Sequence, residues 1–98
     1  MTDIHIDVQR DCLGGERVIE LVLPHGVTEA NLDAIDGAET RTILRSLPRP
    51  FFRVDVPGSF LVSGILGDPR VRFTVRLKVR ERALELSLTA ARRMLDAA

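Results

Sequence analysis

Four residues in the N-terminal part of the chain, His5, Asp7, Cys12 and His25, are able to form a transition-metal site of mixed ligands. One residue separates His5 from Asp7, so both side chains would lie on the same face of a strand. No C-x-x-C or H-x-x-x-H spacing accompanies them, and a cross-strand pair between His5 and Glu20 explains the histidine more simply. We therefore predict no metal and no cofactor.

Cys12 is the single cysteine of the chain and lies in the turn-rich segment RDCLGG. The neighbouring Arg10 would favour a reactive thiolate, whereas Asp11 and Glu16 oppose it. Nucleophilic catalysis would also need a histidine base nearby, and the sequence places neither histidine there. We interpret Cys12 as a passive loop residue. A lone cysteine excludes an internal disulfide and suits a reducing compartment.

Motifs of the common enzyme classes are absent from the sequence. LGGE and VPGS are too short for phosphate-binding loops and fit turns, and there is no G-x-G-x-x-G, Walker or G-x-S-x-G pattern. Carboxylates are plentiful, but none is paired in an apolar context that would suit it for acid–base work. We therefore expect a protein that is not an enzyme, with no catalytic residues.

The charge is balanced overall but divided between the halves of the chain. Fourteen bases offset fourteen acids, yet residues 1–40 hold nine acids and two bases, while residues 41–98 hold twelve bases and five acids. Two interpretations stay open. Either the halves pack together and neutralise each other, or the division marks a polyanion site or head-to-tail association.

The composition is that of one globular domain spanning 1–98, with 45% hydrophobic and 29% charged residues. No apolar run approaches the roughly 20 residues that span a bilayer. The N-terminus MTDIHIDVQR lacks the basic and apolar regions of a signal peptide. We expect a cytoplasmic protein without a membrane partner.

Alternating apolar and polar residues predict strands. DIHIDVQ and ERVIELVL read as a hairpin with a loop over 11–14, in which Ile6 faces Ile19 and Ile4 faces Leu21. The following segment, TEANLDAIDGAETRTILRSL, has helical spacing from an N-cap at Thr28 through residue 47. A break between two short helices is expected at the glycine in the middle of that segment.

A three-stranded meander follows, FFRVDV, FLVSGILG and VRFTVRLKV. A three-residue loop at 57–59 points one apolar row inward, comprising Phe52, Val54, Val56, Phe60 and Val62. A loop over 67–70 then places Phe73 opposite Gly64, and ERALELSLTAARRMLDAA reads as a final helix with Leu84, Leu88, Ala91 and Leu95 on its apolar stripe. The sequence predicts an α+β fold of order β-β-α-β-β-β-α, with an antiparallel sheet of about five strands and helices on one face.

The even positions of VRFTVRLKVR carry bases, and this register points them away from the core. We expect them on an outer sheet face beside apolar side chains, with Asp55, Leu61 and Arg76 in one row across the strands. Exposed apolar residues within a charged rim are typical of an interface. The candidate interface residues are Phe51, Arg53, Asp55, Leu61, Ile65, Arg72, Arg76, Lys78 and Arg80.

Three functions are compatible with these features. The favoured hypothesis is a small non-catalytic binding or assembly module that forms a homodimer, or binds a protein partner, through the outer face. The alternative is a nucleic-acid-binding domain that uses the basic row on the last strand, although exposed aromatics for base stacking are scarce. A third hypothesis is a small-ligand pocket between sheet and helices, next to Gly64.

Overall fold

The structure, a computed structural model, describes residues 4–46 and 48–96. It confirms the α+β class, with a sheet of six antiparallel strands rather than about five. The strand order is β1-β2-β6-β5-β4-β3. The elements are β1 His5–Asp11, β2 Arg17–Val22, α1 Glu29–Asp33, β3 Thr40–Leu44, β4 Phe51–Val56, β5 Phe60–Ile65, β6 Arg70–Val75, a 3₁₀ segment Leu77–Arg82 and α2 Ala83–Asp96.

The hairpin of β4 and β5 has the predicted three-residue loop. Val56 pairs with Phe60 and Val54 pairs with Val62, so the apolar side chains of both strands point to the same side. Ser59 closes the turn by donating its backbone N–H to the Val56 carbonyl at 3.1 Å. The predicted inward row is confirmed as core, and the buried residues of the meander are Phe52, Val54, Val56, Phe60, Val62, Val71, Phe73 and Val75.

The next hairpin differs from the prediction by two residues. Phe73 pairs with Val62 instead of Gly64. The cause is an Asp68 turn, in which the Asp68 N–H donates to the Ile65 carbonyl at 3.1 Å and its carboxylate accepts the backbone N–H of Arg70 at 2.9 Å. A shift of two residues preserves the face of every side chain, so the predicted core survives the change in register.

The N-terminal hairpin is present, but its predicted register is wrong. Ile6 pairs with Leu21 instead of Ile19. The loop is longer than expected because the Cys12 N–H bonds the Glu16 carbonyl at 2.7 Å. A one-residue register shift between Ile6 and Val8 partly reverses this difference.

The helix predicted from Thr28 to residue 47 is wrong beyond its first turns, and Leu47 itself lies outside the described residues. Thr28 is the N-cap as expected, with its hydroxyl accepting the backbone N–H of Asn31. The helix ends at Asp33 with Ala34 as its C-cap, and Gly37 then adopts a φ of 77°, a left-handed turn conformation that glycine accommodates. Beyond it, β3 pairs with β4. Its β-branched residues favour a strand over a helix turn.

Helix α2 packs against the core side of the sheet, as predicted, and Ala91 and Leu95 of the predicted stripe are buried. The predicted leucines Leu84 and Leu88 are only half-buried. Small side chains on the buried stripe let the helix approach the strands closely. The buried residues of α2 are Ala83, Ser87, Ala90, Ala91, Met94 and Leu95. No helix in the described ranges is long and apolar enough to cross a membrane.

The space predicted beside Gly64 for a small ligand is filled. Gly64 pairs with Phe52 on one side and Val71 on the other. A Cβ added to Gly64 would lie 2.9 Å from Cε2 of Phe52, so the phenyl ring occupies the position that a side chain would take. On the core side of the sheet, this glycine therefore serves close packing against Phe52.

Ser87 of α2 places a polar group inside the apolar core. The residue is fully buried, and its hydroxyl has no hydrogen-bond partner among the described residues. A buried hydroxyl without a partner costs free energy because it has lost its water. We expect Ser87→Ala to raise the free energy of unfolding by about 1 kcal/mol, measured by urea denaturation.

Thr89→Ala, at an exposed position of the same helix, is the matched control, because it gains helix propensity without relieving a buried group. Ser87→Ala should stabilise more than this control does. A loss of stability in Ser87→Ala would show that the hydroxyl has a partner in solution.

Candidate functional site

The candidate site is the outer face, the side of the sheet opposite α1 and α2. It consists of the side chains that alternate with core residues along five adjacent strands. They are Glu20 and Val22 on β2, Arg70, Arg72 and Thr74 on β6, Leu61, Ser63 and Ile65 on β5, Phe51, Arg53 and Asp55 on β4, and Thr40, Thr42 and Leu44 on β3. Val18 of β2 points to the same side but is buried. Six of the nine predicted interface residues belong to this set.

The predicted row of Asp55, Leu61 and Arg76 is wrong in one member. Leu61 does pair with Asp55, but on its other side it pairs with Thr74, as the altered register of β6 requires. Arg76 follows the last residue of the strand, yet its guanidinium still reaches the face, where Nη2 lies 3.0 Å from Oδ1 of Asp55.

Lys78 and Arg80 are not on the outer face, which corrects the prediction of a continuous basic row. The Arg76 N–H donates to the Ser59 carbonyl at 2.9 Å, and the chain then leaves the sheet in 3₁₀ turns. The alternation that predicted a longer strand ends there, and Leu77 is 55% exposed instead of core. Arg80 donates to the Gly15 carbonyl at 3.4 Å.

Most of the bases that lie at the outer face form ion pairs with carboxylates of the same chain. Nη2 of Arg72 lies 3.1 Å from Oε1 of Glu20, whose side chain is only 15% exposed. Arg76 binds Glu16 at 3.3 Å in addition to Asp55. These guanidinium groups are therefore already partly neutralised. Arg53 has no ion-pair partner within residues 4–46 and 48–96.

These pairs belong to a wider pattern that links the two halves of the chain. Acids from the first forty residues are matched with arginines from the remainder. The pairs of this kind are Arg41–Asp33, Arg41–Glu29, Arg45–Glu29, Arg70–Asp7, Arg72–Glu20, Arg76–Glu16 and Arg93–Asp36. The pattern supports the interpretation that the halves pack together and neutralise each other.

Two surface hollows lie side by side on the outer face and share the ring of Phe51. The first has a volume of about 230 Å³ and is lined by Glu20, Phe51, Ser63, Gly64, Ile65, Asp68, Arg70 and Arg72. The second, of about 350 Å³, is lined by Thr40, Thr42, Leu44, Phe51, Arg53 and Asp55. Each combines apolar side chains with both signs of charge.

The residues considered for metal or thiol chemistry are not brought together. His5 pairs with Val22, which corrects the predicted pairing with Glu20. His25 is exposed, with Nδ1 lying 2.9 Å from the Gly26 carbonyl oxygen. Cys12 is a half-buried free thiol. No three His, Cys, Asp or Glu side chains in the described part of the chain are grouped to hold a metal ion.

Perturbed carboxyl groups lie away from the outer face. A hydrogen bond from Arg17 lowers the pKa of Asp11, and a hydrogen bond from Arg82 lowers the pKa of Glu85. Both carboxylates are exposed, and each binds a single arginine. A lowered pKa keeps such a group ionised near neutral pH, which suits charge pairing better than proton transfer.

Sequence reasoning missed two sets of outer-face residues. Glu20 and its neighbours on β2 were missed because nothing in the sequence indicates that β2 pairs with β6. Thr40, Thr42 and Leu44 were missed because their segment has helical spacing. The alternation of the two threonines around Arg41 is the signal that could have indicated a strand.

Comparison of the chain with protein-family models, curated proteins and solved structures finds no match. The features that bear on function are those of the outer face. They are half-buried apolar side chains, internally paired charges and two adjoining hollows.

Proposed function

We propose that this protein is a non-catalytic assembly module that forms a homodimer by stacking the outer faces of two copies. The observation that carries the proposal is the one-sided placement of the helices. Both pack on the core side, and Phe51, Leu61 and Ile65 remain half-buried on the other. Apolar side chains inside a polar rim are the usual anatomy of a protein interface.

The charges of the outer face favour a second copy over a polyanion. Arg72 and Arg76 are engaged by Glu20, Glu16 and Asp55, so a nucleic acid would compete with built-in carboxylates for them. Two copies related by a two-fold axis bring the same balanced mixture of charges together. The nucleic-acid alternative also loses Lys78 and Arg80 from its basic row.

The size of the face is compatible with such a dimer. The five strands of the outer face, spaced about 4.8 Å apart and each about 20 Å long, cover about 500 Å² before side-chain relief is counted. Stable interfaces bury roughly 600–1,000 Å² on each partner. Contact across most of the sheet is therefore needed, which places Leu61, in the third of the six strands from the β3 edge, inside the contact.

We expect Leu61→Glu to disrupt the outer-face contact, weakening this association by about 30-fold or more, because a carboxylate would be buried beside Asp55. Sedimentation velocity at high micromolar concentration measures this change. Circular dichroism should show an intact fold, since the half-buried position lets the new side chain reach water in the monomer.

Leu77→Glu is the matched control, because Leu77 is exposed and lies beyond the strand. It should leave the dimer unchanged. A wild-type chain that sediments as a monomer would contradict the proposal. Nanomolar, salt-sensitive binding of DNA or RNA, abolished by Arg72→Glu, would instead make the nucleic-acid alternative the better one.

A further inference from the structure

The two edges of the sheet differ in how well they are protected against pairing with another strand. β1, at one edge, changes register by one residue between Ile6 and Val8, and irregular, charged edges discourage further pairing. β3, at the other edge, pairs with β4 in unbroken register from Thr40 to Leu44. It contains no proline or lysine. β3 is the edge that remains open to another strand within the described structure.

The single charge on β3 is already satisfied within the chain. Arg41 forms an ion pair with Asp33 of α1 and lies 3.9 Å from Glu29. Both partners belong to the helical side of the sheet, so the guanidinium is neutralised there. An incoming strand would therefore meet little net charge along this edge.

The sequence of β3, TRTIL, is self-complementary in an antiparallel pair centred on Thr42. In that register Thr42 faces Thr42 of a second copy, Thr40 faces Leu44, and Arg41 faces Ile43. No two like charges are directly opposite, and Thr–Thr pairs are favourable across strands. Leu44, which is 46% exposed, would gain a neighbour on its open side.

We propose that β3 pairs antiparallel with β3 of a second copy, joining two six-stranded sheets into one of twelve strands. This contact uses the sheet edge and is separate from the outer-face contact proposed above. Two different two-fold contacts on one chain build assemblies larger than a dimer, closed as a tetramer if the axes meet suitably and open-ended if they do not.

Disulfide trapping at position 42 tests the pairing directly. Directly opposite Cα atoms in an antiparallel pair lie about 4.5–5.5 Å apart, within the range that a disulfide spans. In a full-length Cys12→Ala background, we expect Thr42→Cys to form a linked dimer with diamide, much faster than the exposed α2 control Thr89→Cys. Equal rates, or no linkage at position 42, would overturn the proposal.

Substitutions of opposite charge at position 42 test whether the strand that pairs with β3 belongs to a second copy of this chain. Thr42→Lys and Thr42→Glu should each weaken edge pairing by at least about tenfold, because like charges would be opposed. An equimolar mixture of the two variants should restore it. Failure of the mixture to recover, with both variants folded by circular dichroism, would contradict pairing between copies and favour a different strand on this edge.

The two proposals fail in distinguishable ways. Adding Leu61→Glu to the Thr42→Cys protein should leave the disulfide yield unchanged if the edge contact is independent of the outer face. If only the edge contact exists, the Thr42→Lys variant is a monomer and the Leu61→Glu variant remains a dimer. Thr42 also lies on the outer face, so the disulfide is the measurement that separates the two contacts. If only the outer-face contact exists, Leu61→Glu abolishes the Thr42→Cys disulfide together with the dimer, and the edge proposal is overturned.

Discussion

Phe73→Ala is expected to lower the free energy of unfolding by about 3–5 kcal/mol. Phe73 is fully buried in β6, and its ring meets that of Phe60 edge-on, with centroids 5.3 Å apart and planes at 70°. Alanine would remove both the transfer free energy of the ring and this aromatic contact, and would leave a cavity. Urea denaturation followed by circular dichroism measures the loss.

Leu77→Ala is the control for this result. Leu77 continues the same apolar alternation in the sequence but is 55% exposed, so its replacement should change stability by no more than about 0.5 kcal/mol. Comparable losses in the two variants would mean that the strand continues past Val75, as the sequence alone predicts.

Asn31→Ala is expected to lower the free energy of unfolding by about 2–4 kcal/mol, because it leaves polar groups without partners at two helix ends. Asn31 is fully buried, and its Nδ2 donates to the Met94 carbonyl of α2 at 2.7 Å. Its Oδ1 accepts the backbone N–H of Thr28 at 2.8 Å. One amide therefore ties the start of α1 to the end of α2.

Two further variants separate the contribution of the Asn31 contact with Thr28 from that of its contact with Met94. Thr28→Ala removes an N-cap hydroxyl but leaves the Met94 contact, and should cost about 1 kcal/mol. Asn31→Asp keeps the acceptor for Thr28 and replaces the donor to Met94 with a carboxylate, so it should be clearly worse than Thr28→Ala at neutral pH. Chemical denaturation of all three variants compares them. Equal losses for Thr28→Ala and Asn31→Asp would show that the contact with α2 contributes little.

The core of the meander could be predicted from sequence because only one loop length at Pro57 places every apolar residue on the same side. That constraint is local, involving neighbouring strands and a short turn. It also determined which of the candidate residues, such as Phe51 and Leu61, share the outer face. The α+β class followed from the same alternation.

The errors arise where local preference competes with distant partners. The segment around Ile43 has helical spacing, but an edge position beside β4 was available to it, and tertiary pairing overrides a weak propensity. The apolar alternation continues in the sequence through Leu77 and so predicts a longer strand, yet the chain leaves the sheet after Arg76. The place of β2 beside β6 could not be read from either strand, because it depends on contacts about fifty residues apart in the chain.

The position of β2 has a consequence for synthesis of the chain on the ribosome. β2 is made about fifty residues before β6, one of its two neighbours in the sheet. Until then the nascent N-terminal hairpin presents an unpaired strand, the kind of edge that makes partly made chains prone to aggregation. Glu16 and Glu20 of this hairpin also lack their ion-pair partners, Arg76 and Arg72, until those residues are made. In that interval the surplus negative charge of the hairpin would repel other nascent hairpins of the same chain.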